Sequence, residues 1–283
     1  MSGGVLGVVL ADLADESAEL DTRVADLTAA EWESPTPAAG WTIAHQIAHL
    51  AWTDQAALLA IAQPDEFARQ IAELWSAESS PVDAAAEEGA RRPPDELLDS
   101  WRDGRRALRE ALLAVPAGDR IQWFGPPMSP ASMATARFME TWAHGLDVAE
   151  ALGDRPEPTD RVRHVCHLGV RTRDFSYVQR GLSPPAEPFR VELIGPSGDR
   201  WTWGPVDATQ WVSGAGYDFA LLATRRRHRD DVDVRAKGAD AERWLEIIQA
   251  FAGPPGADPE RREKLSDTMG PGAQHMPDNS GES

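Results

Sequence analysis

Gly40-Trp-Thr-Ile-Ala-His-Gln-Ile-Ala-His-Leu-Ala-Trp52 and Arg137-Phe-Met-Glu-Thr-Trp-Ala-His-Gly-Leu-Asp147 are the two stretches on which the reading of this chain turns. The first opens a run, 41–62, with no Gly or Pro, whose apolar residues Ile43, Ile47, Leu50, Leu58 and Ile61 recur at helical spacing behind a capping Thr42. The second lies inside a further expected helix, 132–152, closed by Gly153. Each stretch holds a pair of polar ligating residues four apart: His45 and His49, then Glu140 and His144. On a helix that spacing puts both members on one face, one turn apart.

Working outward, two more long helices are expected. Residues 5–30 carry Leu6, Leu10, Leu13, Leu20, Val24 and Leu27, and Pro35 and Pro37 end the pattern. Residues 95–115 carry Leu97, Leu98, Trp101, Leu108, Leu112 and Leu113. A short helix is expected over 66–75, and the Ala-, Glu-, Ser- and Pro-rich 76–94 reads as a loop or lid. Four long helices in sequence predict a four-helix bundle over residues 1–153. After a Pro-containing linker the pattern changes. A helix is expected over 162–178, strands over 189–194, 200–203, 207–212 and 232–236, and helices over 216–224 and 239–251. The fold class is therefore α+β, with a smaller α+β domain over 160–253. Residues 254–283 are Gly-, Pro- and charge-rich and are expected to be a disordered tail.

The net charge is −18, from 28 Lys+Arg against 46 Asp+Glu, which argues against nucleic acid and against anionic membrane as partners. Cys166 is the single cysteine, so neither an intramolecular disulfide nor a Cys-rich zinc site can form. The first residues have no basic n-region, and no apolar run reaches bilayer length. The expectation is a cytoplasmic protein, monomer or homodimer, acting on a small molecule.

Either polar pair alone reads as solvated decoration of a helix. Two pairs on alternate helices of one bundle are how bundles build metal sites. Imidazole nitrogens with a carboxylate oxygen suit zinc best, with iron, nickel or cobalt as alternatives, and three protein ligands leave an open, catalytic position.

Taken together, the two stretches resemble the mycothiol-dependent maleylpyruvate isomerase family of the DinB-like metal-binding superfamily, over residues 5–253. The resemblance implies a DinB-like four-helix bundle followed by a smaller α+β domain. It implies zinc or another divalent metal held by His49, Glu140 and His144, with His45 at an unconstrained position. It also implies mycothiol as thiol co-substrate and an Arg of the second half facing the metal. Leu221-Leu-Ala-Thr-Arg-Arg-Arg227 is similar to the family's Leu-Thr-Gly-Arg, which selects Arg226 and puts Arg225 where the family has Gly.

The activity so implied is thiol-dependent isomerisation of, or conjugation to, a small carboxylate-bearing electrophile, with Arg226 holding the carboxylate by paired hydrogen bonds. A hydrolase with metal-bound hydroxide, and a non-enzymatic metal-binding stress or ligand-carrier protein closed by a fourth ligand such as His45, are the alternatives. Asp147 reads as an outer partner of an imidazole or as a solvated helix-end acid. Trp41, Trp52 and Trp142 read as packing or pocket residues. Cys166 reads as buried and inert. His164 and His167 form a weak second pair, and Arg225 to Arg229 an anion site or an exposed helix end.

Overall fold

The computed structural model describes residues 2–74, 80–254 and 256–261. The first half is helical: α1 (Ser2–Val24), α2 (Ala29–Trp32), α3 (Ile43–Ala62), α4 (Pro64–Leu74), α5 (Pro81–Ala90), α6 (Pro94–Ala114) and α7 (Pro130–Ala151). The rods α1, α3, α6 and α7 make the expected four-helix bundle, α3 packing on α6 and α7, and α1 on α7. Its interior has two apolar centres. One gathers Leu20, Val24, Ile43, Ile47, Leu50, Leu97 and Trp101; the other gathers Val9, Leu10, Phe67, Leu108, Leu112 and Met133. Each such side chain contributes roughly 1.5–3 kcal/mol by leaving water, which is why the rods hold register without a disulfide.

Local chemistry starts the two rods that matter most. Ser129 caps α7 through the Ser132 N–H at 3.1 Å, with Pro130 in the first turn where its missing N–H costs nothing. At α3 the chain turns through Gly40 (φ 78°), and the Thr42 N–H donates to His45 Nδ1 at 3.2 Å.

Residues 76–94 differ from the expected loop. Residues 75–79 lie outside the described residues, but 81–90 form α5, with Ser80 as cap and Pro81 in the first turn. The helix lacks large apolar residues, so its stripe is written in alanine. It lies so close to α3 that a Cβ on Gly89 would sit 2.7 Å from that of Ala48.

The second half holds α8 (Arg163–Arg171), α9 (Arg173–Gln179), β1 (Phe189–Ile194), β2 (Arg200–Trp203), β3 (Gln210–Ala215), α10 (Gly216–Ala223), β4 (Val234–Lys237) and α11 (Ala239–Ile247). The sheet order is β2-β1-β3-β4, with β1 and β3 parallel and both outer pairs antiparallel. The single helix expected over 162–178 is broken at Thr172, whose hydroxyl lies 3.0 Å from both Leu168 O and Gln249 O. The third strand starts three residues later than expected. The last helix stops at Ile247 rather than running to 251, because 248–253 turns back: the Ala250 N–H donates to Ala223 O at 2.8 Å and the Gln249 N–H to Ser176 Oγ at 3.0 Å.

Helix α7 serves both halves. Phe138, Met139, Trp142 and Ala143 share a core with Val165, Val191, Leu193, Trp201, Phe219 and Trp244. Of the expected tail, 262–283 lies outside the described residues. Its described beginning is tied down by Arg225, which donates to Ala257 O at 3.0 Å. No described helix is long and apolar enough to cross a membrane.

Candidate metal centre

His49 leaves α3 two turns in, and Glu140 and His144 leave α7 one turn apart. The packing of α3 on α7 brings the three together: Glu140 Oε2 lies 3.1 Å from His49 Nε2 and 3.1 Å from His144 Nε2. The two imidazole centroids are 4.5 Å apart. Among the described residues this is the group whose ligand atoms converge, all within 4.8 Å of one another. His45 does not join it. Its Nδ1 is used by the Thr42 N–H, and its Nε2 faces Glu87 Oε2 of α5 at 3.0 Å.

Two observations test whether these donors fit a cation. Tetrahedral zinc, with bonds of about 2.0–2.2 Å, places neighbouring ligand atoms about 3.3–3.5 Å apart. The 3.1 Å separations come close to that. The second observation is a directed chain of hydrogen bonds. Thr36 Oγ1 donates to Trp41 O at 3.0 Å, and Gln46 Nε2 donates to Thr36 Oγ1 at 2.8 Å. The amide orientation of Gln46 is thereby set, with its carbonyl turned to His144 Nδ1. Burial, assisted by the neighbouring His49, lowers His144 to about 4, so its ring is neutral at pH 7 and has one N–H to give. With that proton on Nδ1, Nε2 presents a lone pair to a carboxylate oxygen. That oxygen is Glu140 Oε2, 3.1 Å away. Lone pair facing anion at contact distance is relieved by a cation between them. The donor set therefore fits a divalent metal ion.

Gln46 carries no signal in the sequence. It is fully buried, and its role appears only when α7 is in place. Asp147 is likewise not a solvated helix-end acid. It is buried, 3.9 Å from His144 Nδ1, and accepts from Arg226 Nη2 at 2.8 Å. Arg226 thus reaches the neighbourhood of the triad from the second half, but its guanidinium lies on Asp147, with Nη1 donating to Thr224 O at 2.9 Å. Arg225, where glycine was expected by resemblance, takes φ 58°, the left-handed conformation that glycine adopts freely.

Trp41 stacks on His144 (centroids 5.9 Å, planes 18° apart), and its indole N–H donates to Asp83 of α5 at 3.0 Å. Trp142 turns away to the shared core, edge-on to Tyr217. On the other side of the triad a cavity of ≈ 190 Å³ opens beside His49 and Glu140, with Trp52, Phe124, Phe175 and Phe251 among its walls. Arg137, 2 % exposed, also lines it and is paired through Nε with Asp54 Oδ1 at 2.9 Å.

The remaining polar groups singled out from sequence do not gather into a site. Cys166 is buried, its thiol pushed up by desolvation and donating to Gly216 O. His164 meets Asp12 and His167 meets Trp203, in different directions. Arg225, Arg226 and Arg227 are engaged with Asp258, Asp147 and Glu150.

Residues 13–149 match the family described as the mycothiol maleylpyruvate isomerase N-terminal domain, and residues 185–237, which span the sheet, match the family described as wyosine base formation. Two uncharacterised proteins of Mycobacterium tuberculosis strains are each 57 % identical over 250 residues, covering 88 % of this chain and 97 % of theirs. Crystal structures of the mycothiol-dependent maleylpyruvate isomerase and of a point mutant superpose with TM-scores of 0.54 and 0.53. Each is 18 % identical and covers 82 % of this chain and 92 % of the other, a likeness of fold.

Proposed function

This chain belongs to the mycothiol-dependent maleylpyruvate isomerase family, and from that premise we propose that it is a metal- and thiol-dependent enzyme that isomerises, or conjugates a thiol to, a small electrophile. The observation that carries the reading is the meeting of His49, Glu140 and His144 beside a cavity, with the His144 tautomer set by Gln46. Zinc is the proposed metal and mycothiol the proposed thiol. A divalent ion held by this triad supplies the Lewis acidity that keeps a thiol ionised near neutral pH.

The chain's own residues prepare that centre. Glu140 contributes the one negative charge, and the two imidazoles contribute neutral donors. Gln46 presents His144 by its Nε2. Trp41 covers the pair of rings and shields them from water. Arg226, engaged with Asp147, is assigned a positioning role rather than the substrate clamp expected of it: it fixes the acid that backs His144. His45 does not close the centre, so the feature that would have favoured a closed metal-carrier site is missing from this triad.

Metal analysis of the purified protein, together with a thiol-consumption assay, tests this reading. Near-stoichiometric metal is expected in the wild type and loss of most of it in His49→Ala, Glu140→Ala and His144→Ala. Full metal retention in all three variants would overturn the site. Turnover of an ester or amide without added thiol would favour the hydrolase instead.

A further inference from the structure

The proposed function leaves open what kind of electrophile enters, and the cavity beside His49 and Glu140 speaks to that. Its aromatic walls come from four parts of the chain: Trp52 on α3, Phe124 in the loop before α7, Phe175 on α9, and Phe251 in the segment that turns back after α11. Trp52 and Phe124 stack on each other, centroids 5.7 Å apart and planes 25° apart, and together form one continuous aromatic wall. Flat apolar guests suit such walls. The cavity measures ≈ 190 Å³. An apolar cavity of ~150 Å³ takes up benzene, so this one has room for a ring and a short conjugated chain.

Charge points the same way. The ionic residues of the lining are Glu140 and Arg137, with His49 neutral once it serves as a ligand. Arg137 is compensated by Asp54, and Glu140 repels anions. A divalent ion held by Glu140 would likewise have its charge balanced once one thiolate joined it. A dicarboxylate entering here would lose its hydration and find no unspent cation in the lining. Two buried polar atoms of the lining residues remain without a partner, His49 Nδ1 and Arg137 Nη2, and only the second belongs to a charged group outside the triad. A buried guanidinium N–H calls for an acceptor, and a neutral carbonyl oxygen meets that need without adding charge.

We infer that the electrophile is a ring-bearing α,β-unsaturated carbonyl compound, its apolar body lying against the stacked Trp52–Phe124 wall and reaching toward Phe175 and Phe251, and its carbonyl oxygen on Arg137 Nη2. The inference rests on the metal- and thiol-dependent reading for the role of the site, but its test is a binding measurement that does not require turnover.

The probe is trans-4-phenyl-3-buten-2-one, titrated into the metal-loaded full chain and followed by quenching of the protein's tryptophan fluorescence and by calorimetry. Maleate and the hydrocarbon trans-1-phenyl-1-butene serve as comparators. The enone is expected to bind at least tenfold more tightly than maleate. It should also bind several-fold more tightly than the hydrocarbon, which reports the Arg137 contact without mutating a buried charge. Phe124→Ala, at a half-exposed position, is expected to weaken the enone about tenfold through lost apolar contact while leaving metal content unchanged. Tighter binding of maleate, equal binding of enone and hydrocarbon, or an unaffected Phe124→Ala variant would overturn the inference. Metal content and thiol consumption are read separately. If the enone binds but no thiol is consumed, the functional reading fails; if thiol is consumed but maleate binds better, the substrate inference fails.

Discussion

Replacing Gln46 with Leu removes the side-chain amide and little volume, and it cuts the link between the bundle's interior and the candidate metal centre. In the wild type the Gln46 carbonyl accepts from His144 Nδ1, and its amide donates to Thr36 at 2.8 Å. Without it, His144 keeps a buried donor with no acceptor nearer than Asp147 Oδ2 at 3.9 Å. A buried group left unsatisfied costs about 1–3 kcal/mol. Part of that falls on folding and part on metal binding, because the ring is then free to take the other tautomer or to turn toward Asp147. Loss of an outer partner of a ligating imidazole typically weakens metal affinity about 10–100-fold. Zinc affinity measured by competition with a chromophoric chelator at pH 7 is therefore expected to fall by one to two orders of magnitude, with the helical circular dichroism unchanged. Gln46→Glu, which keeps an acceptor at the same reach, is expected to recover most of the loss. A Gln46→Leu protein that is folded and binds zinc within twofold of wild type would show that the amide does not orient His144.

Arg226→Ala leaves the buried Asp147 without its cation, and denaturant unfolding is expected to show a loss of about 2–4 kcal/mol with metal content retained; unchanged stability would mean that the pair contributes nothing. Metal-free protein should lose stability as pH falls from about 6.5 to 4: His144 titrates near 4 when folded but near 6.5 when unfolded, so in that window the unfolded chain binds the extra proton. Chemical denaturation across that range, compared with His144→Gln, isolates this contribution, and identical pH slopes for the two proteins would refute it. Gly89→Ala sets a methyl group 2.7 Å from Ala48 Cβ, and overpacking of about 1–3 kcal/mol should exceed the gain of about 1 kcal/mol in helix propensity. A thermal midpoint at or above wild type would show that α5 can move off α3 at no cost.

The bundle was legible because its apolar residues are large and periodic: Leu97, Leu98, Trp101, Leu108 and Leu112 mark α6 whatever surrounds it. The triad was legible because i, i+4 spacing survives translation into geometry and because the surrounding residues resemble a known family. Helix α5 was missed because it packs through Ala86 and Gly89, residues that say nothing in a hydropathy pattern; the Ser80-Pro81 start was its one local mark. The break at Thr172 and the early end of α11 come from one tertiary event, the return of 248–253 onto Ser176 and Ala223, which no local pattern records. Gln46, Asp147 and Arg137 sit on faces expected to be helical, yet what each side chain meets depends on the neighbouring rod. Such polar pairings are decided by packing, and a sequence shows only that the residues exist.

The aromatic cavity draws its ligating edge from the first half of the chain and much of its opposite wall, Leu168, Phe175 and Phe251, from the second. Reactivity and choice of guest are therefore inherited separately. A lineage can redraw the far wall by drift in the short helices and the returning C-terminal segment, acquiring a taste for new compounds while the histidines and the glutamate stay as they are. Paralogues with the same triad would then be told apart by their second halves, and exchanging those halves between them would transfer preference without rebuilding the reactive centre.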